Sequence, residues 1–372
     1  MRYVPLQEAK EGMRLAQDMY DSKGRTLIGI NALLTAHYIE KLEQYGFDGV
    51  YIKDEMSKDI EIEPIISPQL RQKGISCIRK LDIDGCQQVA KHIVEEILGK
   101  GTISLDMTDL RSYDDYTYAH SVNVAVISCI IGIGFILQEE KLVQLVSAAL
   151  LHDLGKMTIS PEIINKPGRL TPEEFQEIKK HPTFSYEMIS ERWDLSAQVK
   201  NAVLLHHENV DGTGYPKGIR GEDQTLMTKI IHVADVYDAL TSKRPYKDPY
   251  SPGEAMEYMM GACGSMFDTH AVAKLMECVP LYPKGTDVIL SDGRKGIIYE
   301  NSGAYNLRPI VKLYENGELI DLTSKEHLSL VISGTGNKDK QVSERFEIER
   351  LKMLEEVKKF EESMAARERK EE

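Results

Sequence analysis

From about Pro68 to Val279, apolar side chains recur every three or four residues, the spacing of helices that bury one face. Helix starts are predicted at Asp84 and, where a capping residue precedes proline and an acid, at Thr171-Pro172-Glu173-Glu174 and Ser251-Pro252-Gly253-Glu254. The most apolar run, Val122 to Leu137, is 16 residues long and interrupted by Asn123 and Ser128. A bilayer needs about 20 such residues, so the run reads as a buried core helix.

The pattern changes on either side. Residues 1–63 mix short strand-like pieces, Met13 to Tyr20 and Gly49 to Ile52, with a helical stretch from Thr35 to Tyr45, which predicts a small α+β module. Pro64 and Pro68 mark a boundary. After the all-α segment, 68–280, five strand-like runs occupy 284–335: Asp287 to Leu290, Gly296 to Tyr299, Ile310 to Tyr314, Glu318 to Leu322 and Leu328 to Ile332. Asp292-Gly293 and Asn316-Gly317 are hairpin turns, so a small β domain is expected. Residues 338–372 form a charged tail in which Phe346, Met353, Val357, Phe360 and Met364 sketch a heptad seam broken by Arg350. It reads either as a solvated single helix or as a homodimer coiled coil. The predicted fold is thus mainly α, with small α+β and β modules flanking a helical core.

Composition narrows the partners. The 372 residues carry 59 acidic and 46 basic side chains, a formal charge of -13 that disfavours a groove for polymeric DNA or RNA but not a small anion held by a local basic cluster. Five widely spaced cysteines without a C-x-x-C pair point to neither a disulfide framework nor a thiolate site, and with no apolar signal core at the N-terminus a cytoplasmic protein is expected.

Chemistry concentrates in histidine and aspartate. Five of the ten histidines lie between 120 and 207: His120, His152, His181, His206 and His207, with Asp153 beside His152 and Asp235 following in Ala234-Asp235-Val236. Any one of them alone reads as a core residue. Together, imidazole and carboxylate suit iron, manganese, zinc or nickel better than magnesium. Adjacent residues such as His152 and Asp153 do not share one helix face, but they can serve two metals if the carboxylate bridges. Lys156 follows one turn later, a cation placed to meet a substrate phosphate or to be a plain surface lysine. Two metals sharing a carboxylate can also share a water, whose pKa falls from about 15.7 towards about 7, giving a hydroxide for in-line attack on a phosphodiester.

The ordered set His120, His152-Asp153-Leu154-Gly155-Lys156, His181-Pro182, His206-His207-Glu208, Asp211-Gly212-Thr213-Gly214-Tyr215-Pro216 and Ala234-Asp235-Val236-Tyr237-Asp238-Ala239-Leu240-Thr241-Ser242 resembles the HD-GYP subgroup of HD-domain phosphohydrolases over about residues 100 to 280. The resemblance implies an enzyme that hydrolyses cyclic di-GMP to linear pGpG, with breakdown to GMP left open. It implies one metal on His120, His152, Asp153 and Asp235 and a second on Asp153, His181, His206 and His207, iron or manganese first, with Asp153 and Lys156 as the catalytic pair. Some members hold a third metal with a glutamate four residues before the first histidine; Tyr116 stands there, so two are expected.

Gly212 and Gly214 permit positive φ, so the loop can fold tightly and present Tyr215 to stack on a base, form a structural turn, or dock a signalling partner. Lys243, Arg244 and Lys247 follow the Asp235 helix; Arg244 and Lys247 match family positions that contact substrate, and a guanidinium suits phosphate or a guanine edge. Otherwise they are a solvated face. His232, three residues before Asp235, either supports the ligands or fills the core. Alternatives kept open are an HD phosphohydrolase for another cyclic dinucleotide or guanine nucleotide, and a nucleotide-binding scaffold without turnover.

Overall fold

The computed structural model describes residues 1–20, 25–45, 47, 49–100, 116–164, 166, 168, 170–242, 249–301 and 307–335, with side chains described from residue 118 onward in the helix that opens at 116. The charged tail and its heptad positions, Arg244 and Lys247, and the side chain of Tyr116 lie outside the described residues.

The central segment is helical, as its periodicity predicts. It comprises α2 (Pro68–Arg79), α3 (Ile83–Gly99), α4 (Tyr116–Gly134), α5 (Glu139–Leu151), α6 (Pro161–Ile164), α7 (Pro172–Ile178), α8 (His181–Ser190), α9 (Ala197–Leu205), α10 (Leu226–Thr241), α11 (Pro252–Gly261) and α12 (Thr269–Cys278). Capping boxes close the starts of α7 at Thr171 and α11 at Ser251, while α3 begins earlier than expected because Asp82, not Asp84, caps it. The apolar run forms α4, which packs against α2, α5, α10 and α12 and buries Val122, Ile127, Ile130 and Ile131 completely. Each such side chain contributes about 1.5 to 3 kcal/mol by leaving water. Among the described residues no helix is long and apolar enough to cross a membrane.

The N-terminal segment contains β1 (Arg2–Pro5), β2 (Met19–Tyr20), β3 (Thr26–Ile28), α1 (Ala36–Gln44) and β4 (Gly49–Ile52). β1 pairs antiparallel with β4, and β2 with β3. Of the stretch from Met13 to Tyr20 only the last two residues are strand, with isolated bridges at Arg14 and Leu15; β1 and β3 are too short to show an alternating pattern.

The C-terminal sheet runs β8-β7-β6-β5-β9, all neighbours antiparallel, from β5 (Asp287–Leu290), β6 (Lys295–Glu300), β7 (Ile310–Leu313), β8 (Leu319–Asp321) and β9 (Ile332–Thr335). Four strands fall where expected. The last is displaced from Leu328–Ile332 because the Arg308 guanidinium binds the carbonyls of Leu322, Leu328 and Leu330, taking those acceptors out of the ladder. The two flanking segments touch: Arg2 Nε is 2.6 Å from Asp54 and its Nη1 3.3 Å from Asp287, Lys312 Nζ is 2.8 Å from Asp59, and the Tyr3 N–H donates to the Gly285 carbonyl.

Candidate metal centre

All seven ligands expected from the sequence meet at one end of the helical segment. His120 lies in the first turns of α4, His152 caps the end of α5 and Asp153 follows it, His181 opens α8, His206 caps the end of α9 with His207 next, and Asp235 is midway along α10. Antiparallel packing of α4 with α5 and of α8 with α9 brings these ends together.

Asp153 lies between two groups of imidazoles. Its Oδ2 is 3.6 Å from His120 Nε2 and 3.3 Å from His152 Nε2, whereas its Oδ1 is 3.2 Å from His181 Nε2 and 3.8 Å from His206 Nε2. Asp235 places one oxygen 2.9 Å from His120 Nε2 and the other 3.7 Å from His207 Nδ1. Three sets of donor atoms each fit within 4.8 Å: His120 with His152 and Asp153, His152 with His206 and Asp235, and His181 with His206 and His207.

The imidazoles are aimed by the backbone. His152, His181 and His206 each place Nδ1 2.7 to 2.8 Å from the carbonyl three residues earlier, at Ala149, Ile178 and Val203. With Nδ1–H donated there, each Nε2 keeps its lone pair for the interior. His207 differs: its ring faces Asp235 and stacks on Tyr215, and its side chain is 19 % exposed, so it borders the opening. Among the described residues, the buried His152 Nε2 and Asp153 Oδ1 at the centre have no hydrogen-bond partner. Buried polar atoms are normally satisfied, so both fit positions that coordinate a cation.

Electrostatics agree. Burial lowers the His181, His206 and His207 imidazoles, keeping them in the neutral form that binds metal. Burial alone would raise the Asp153 carboxyl, but the neighbouring His152 ring and Lys156 ammonium hold it well below the usual carboxylate range. For His120, burial is outweighed by hydrogen bonds to Asp235 and Asp238, which push it up to about 9. A cation entering there displaces a proton.

Lys156 follows Asp153 by three residues, with Nζ 2.5 Å from Asp153 Oδ2 and its side chain 24 % exposed. Tyr215 is at the rim, its ring 4.7 Å from that of His207 at 27°. Of the two glycines expected to need positive φ only Gly212 has it, at +85°; at Gly214 a Cβ would fall 2.5 Å from the His207 carbonyl and closer still to the Asn209 nitrogen, so close backbone approach is what demands glycine.

Several residues support the ligands, and of these the sequence reading singled out only His232, as ligand support or core. Asp238 accepts from His120 Nδ1 at 2.7 Å and from Asn123 Nδ2 at 3.0 Å, and Asn123 in turn accepts from Arg71 Nη1 at 2.6 Å. The polar interruption of the apolar run is therefore part of the ligand support, one turn after His120. His232 is buried and donates from Nδ1 to the His206 carbonyl at 2.7 Å. Glu208, fully buried, accepts from the backbone N–H groups of Lys217, Gly218 and Ile219 and so ties the glycine-rich loop to the His206-His207 pair. Glu208→Ala should cost about 2 kcal/mol in urea unfolding, since water can reach Lys217 and Gly218 and replace part of what is lost.

Residues 122–270 match the HD domain family. The chain is 36 % identical over 234 residues to a cyclic di-GMP phosphodiesterase of Pseudomonas aeruginosa, covering 63 % of this chain and 56 % of the relative. It is 35 % identical over 210 residues to the cyclic di-GMP phosphodiesterase response regulator RpfG of Xanthomonas campestris pv. campestris, covering 56 % and 55 %. A 3'3'-cGAMP-specific phosphodiesterase of Vibrio cholerae is 34 % identical over 168 residues, 45 % of this chain and 36 % of that one. The chain thus spans about half or less of the length of these curated relatives. The segment that matches the HD domain family carries six of the seven gathered histidines and aspartates, and His120 lies two residues before it.

Proposed function

We propose that this protein is a metal-dependent phosphodiesterase that opens cyclic di-GMP to linear pGpG. The observation that carries the reading is Asp153, a buried, ionised carboxylate whose two oxygens face separate imidazole groups. The names of the Pseudomonas and Xanthomonas relatives favour cyclic di-GMP, and that of the Vibrio relative places a related guanine-containing ring in the same substrate class.

His120, His152, Asp153 and Asp235 would hold one divalent ion, and Asp153, His181, His206 and His207 a second; five imidazoles with two carboxylates suit iron or manganese. Such ions supply a water ionised near neutral pH and positive charge against the phosphate oxygens. The chain's own groups do the rest. Lys156, beside Asp153, pairs with the substrate phosphate and offsets charge as the 3'-oxygen leaves. Asp238 holds the His120 ring in place, and Tyr215 presents a flat surface to a base. Arg244 and Lys247 complete the anionic contacts on this reading. The five cysteines, none in a disulfide, accord with work in the cytoplasm.

The test is anaerobic loading of the full chain with Fe(II) or Mn(II), elemental analysis, and chromatography of products from cyclic di-GMP and 3'3'-cGAMP. Two metal equivalents and linear pGpG are expected, with a chelator abolishing turnover and added metal restoring it. No turnover of either dinucleotide with two ions confirmed bound overturns the reading.

A further inference from the structure

Beyond the expected ligands, the rim of the site carries an aromatic and basic shelf. Phe175 projects from α7 with 44 % of its surface exposed, and Lys179 follows one turn later on the same face, just before His181. Lys179 Nζ lies 4.9 Å from the Phe175 ring centroid and 5.2 Å from that of Tyr215. Tyr215 in turn stacks on His207. A candidate metal ligand, two aromatic rings and an ammonium group therefore run from the metal centre outward.

Charge sets Lys179 apart from its neighbours. Lys156 is paired with Asp153, Lys166 with Glu174 and Lys180 with Glu177, at 2.5 to 2.6 Å. Among the described residues no carboxylate lies within ion-pair distance of Lys179 Nζ, although the protein has a formal charge of -13. Its contacts are aromatic faces, which hold the cation in place without neutralising it. An exposed ring beside an ammonium with hydrogen-bond donors to spare suits a flat, π-rich ligand that offers acceptors along one edge. Guanine presents O6 and N7 there, whereas adenine replaces O6 with an amino donor that opposes the ammonium.

We propose that Phe175 and Lys179 form a guanine subsite: the base stacks on the exposed face of Phe175, and Lys179 donates to its O6 and N7 edge. The subsite rests on the reading of the centre as a cyclic dinucleotide phosphodiesterase and adds to it the means by which one base is chosen.

The test measures affinities by calorimetry on the metal-loaded full chain, with GMP and AMP as probes, so that its result does not depend on turnover. The unsubstituted protein should bind GMP more tightly than AMP. Phe175→Ala should weaken both by about tenfold, with Phe175→Tyr restoring them. Lys179→Met should reduce the ratio of GMP to AMP affinity by about tenfold while changing AMP little. Metal content by elemental analysis and the circular dichroism spectrum, both as in the unsubstituted protein, show that the variants fold and keep the centre. Equal affinity of the unsubstituted protein for GMP and AMP overturns the proposal. So does equal weakening of both by Lys179→Met, which would assign the ammonium to phosphate, and so does a Phe175→Ala variant that binds both nucleotides as tightly as the unsubstituted protein. Failure to hydrolyse cyclic di-GMP, by contrast, sinks the phosphodiesterase reading while these affinities still decide the subsite.

Discussion

Asp153→Asn should strip the protein of metal and reduce turnover of cyclic di-GMP more than a hundredfold. The substitution preserves shape, so the buried helix ends have no steric reason to move. It removes the negative charge that Asp153 places between His120 and His152 on one side and His181 and His206 on the other. Loss of an outer partner of a metal ligand already costs about 10- to 100-fold in affinity, and a carboxylate shared by two ions costs more because both sites lose a ligand at once. Asparagine also leaves the Lys156 ammonium without its carboxylate neighbour, adding repulsion to any incoming cation. Elemental analysis and a product assay read the two losses separately. Retention of two ions and the full rate would remove Asp153 from the bridging role.

Gly155→Ala is expected to have the second largest effect, through backbone contact. A Cβ at residue 155 would sit 2.7 Å from the Ser185 nitrogen and closer still to the His181 carbonyl, both main-chain atoms of α8. The Gly155 N–H also donates to Ser185 Oγ at 2.7 Å, so the turn after Asp153 is fastened to that helix. An added methyl must push the start of α8 outward, and His181 Nε2, now 3.2 Å from Asp153 Oδ1, goes with it. Overpacking of this kind costs typically about 1 to 3 kcal/mol, and contact with main chain puts this case at about 3. The metal-free variant should unfold at lower urea, and the loaded variant should bind one metal equivalent fewer than the parent, because His120, His152 and Asp235 are not on α8. Unchanged stability and stoichiometry together would contradict this account.

The gathering of the seven candidate ligands was legible because their order and residue types form a pattern that does not depend on distant packing. Helical periodicity was equally legible, since α4 carries its burial in its own sequence. What surrounds the ligands was not. Asp238, Asn123 and Arg71 form a chain across separations of 115 and 52 residues, and nothing local to any of them announces the other two. Gly155 meets Ser185 across 30 residues, and the demand for glycine at Gly214 comes from backbone crowding that only the folded loop creates. Phe175 lay hidden for another reason: α7 reads as an ordinary capped helix, and its exposed ring gains meaning only beside Lys179 and Tyr215. In the C-terminal sheet, β9 was misplaced because one guanidinium, at Arg308, competes for carbonyls that sequence alternation assigns to a strand.

The contact between the flanking segments has a mechanical consequence. The chain enters the helical segment at Pro68 from one of them and leaves it after Cys278 into the other, and Arg2, Asp54, Asp287, Lys312 and Asp59 link the two. Both ends of the helical segment are thereby tethered to the same linked pair, like the two posts of a handle. A pull on that handle loads α2 and α12 together, and both pack against α4, the helix that carries His120.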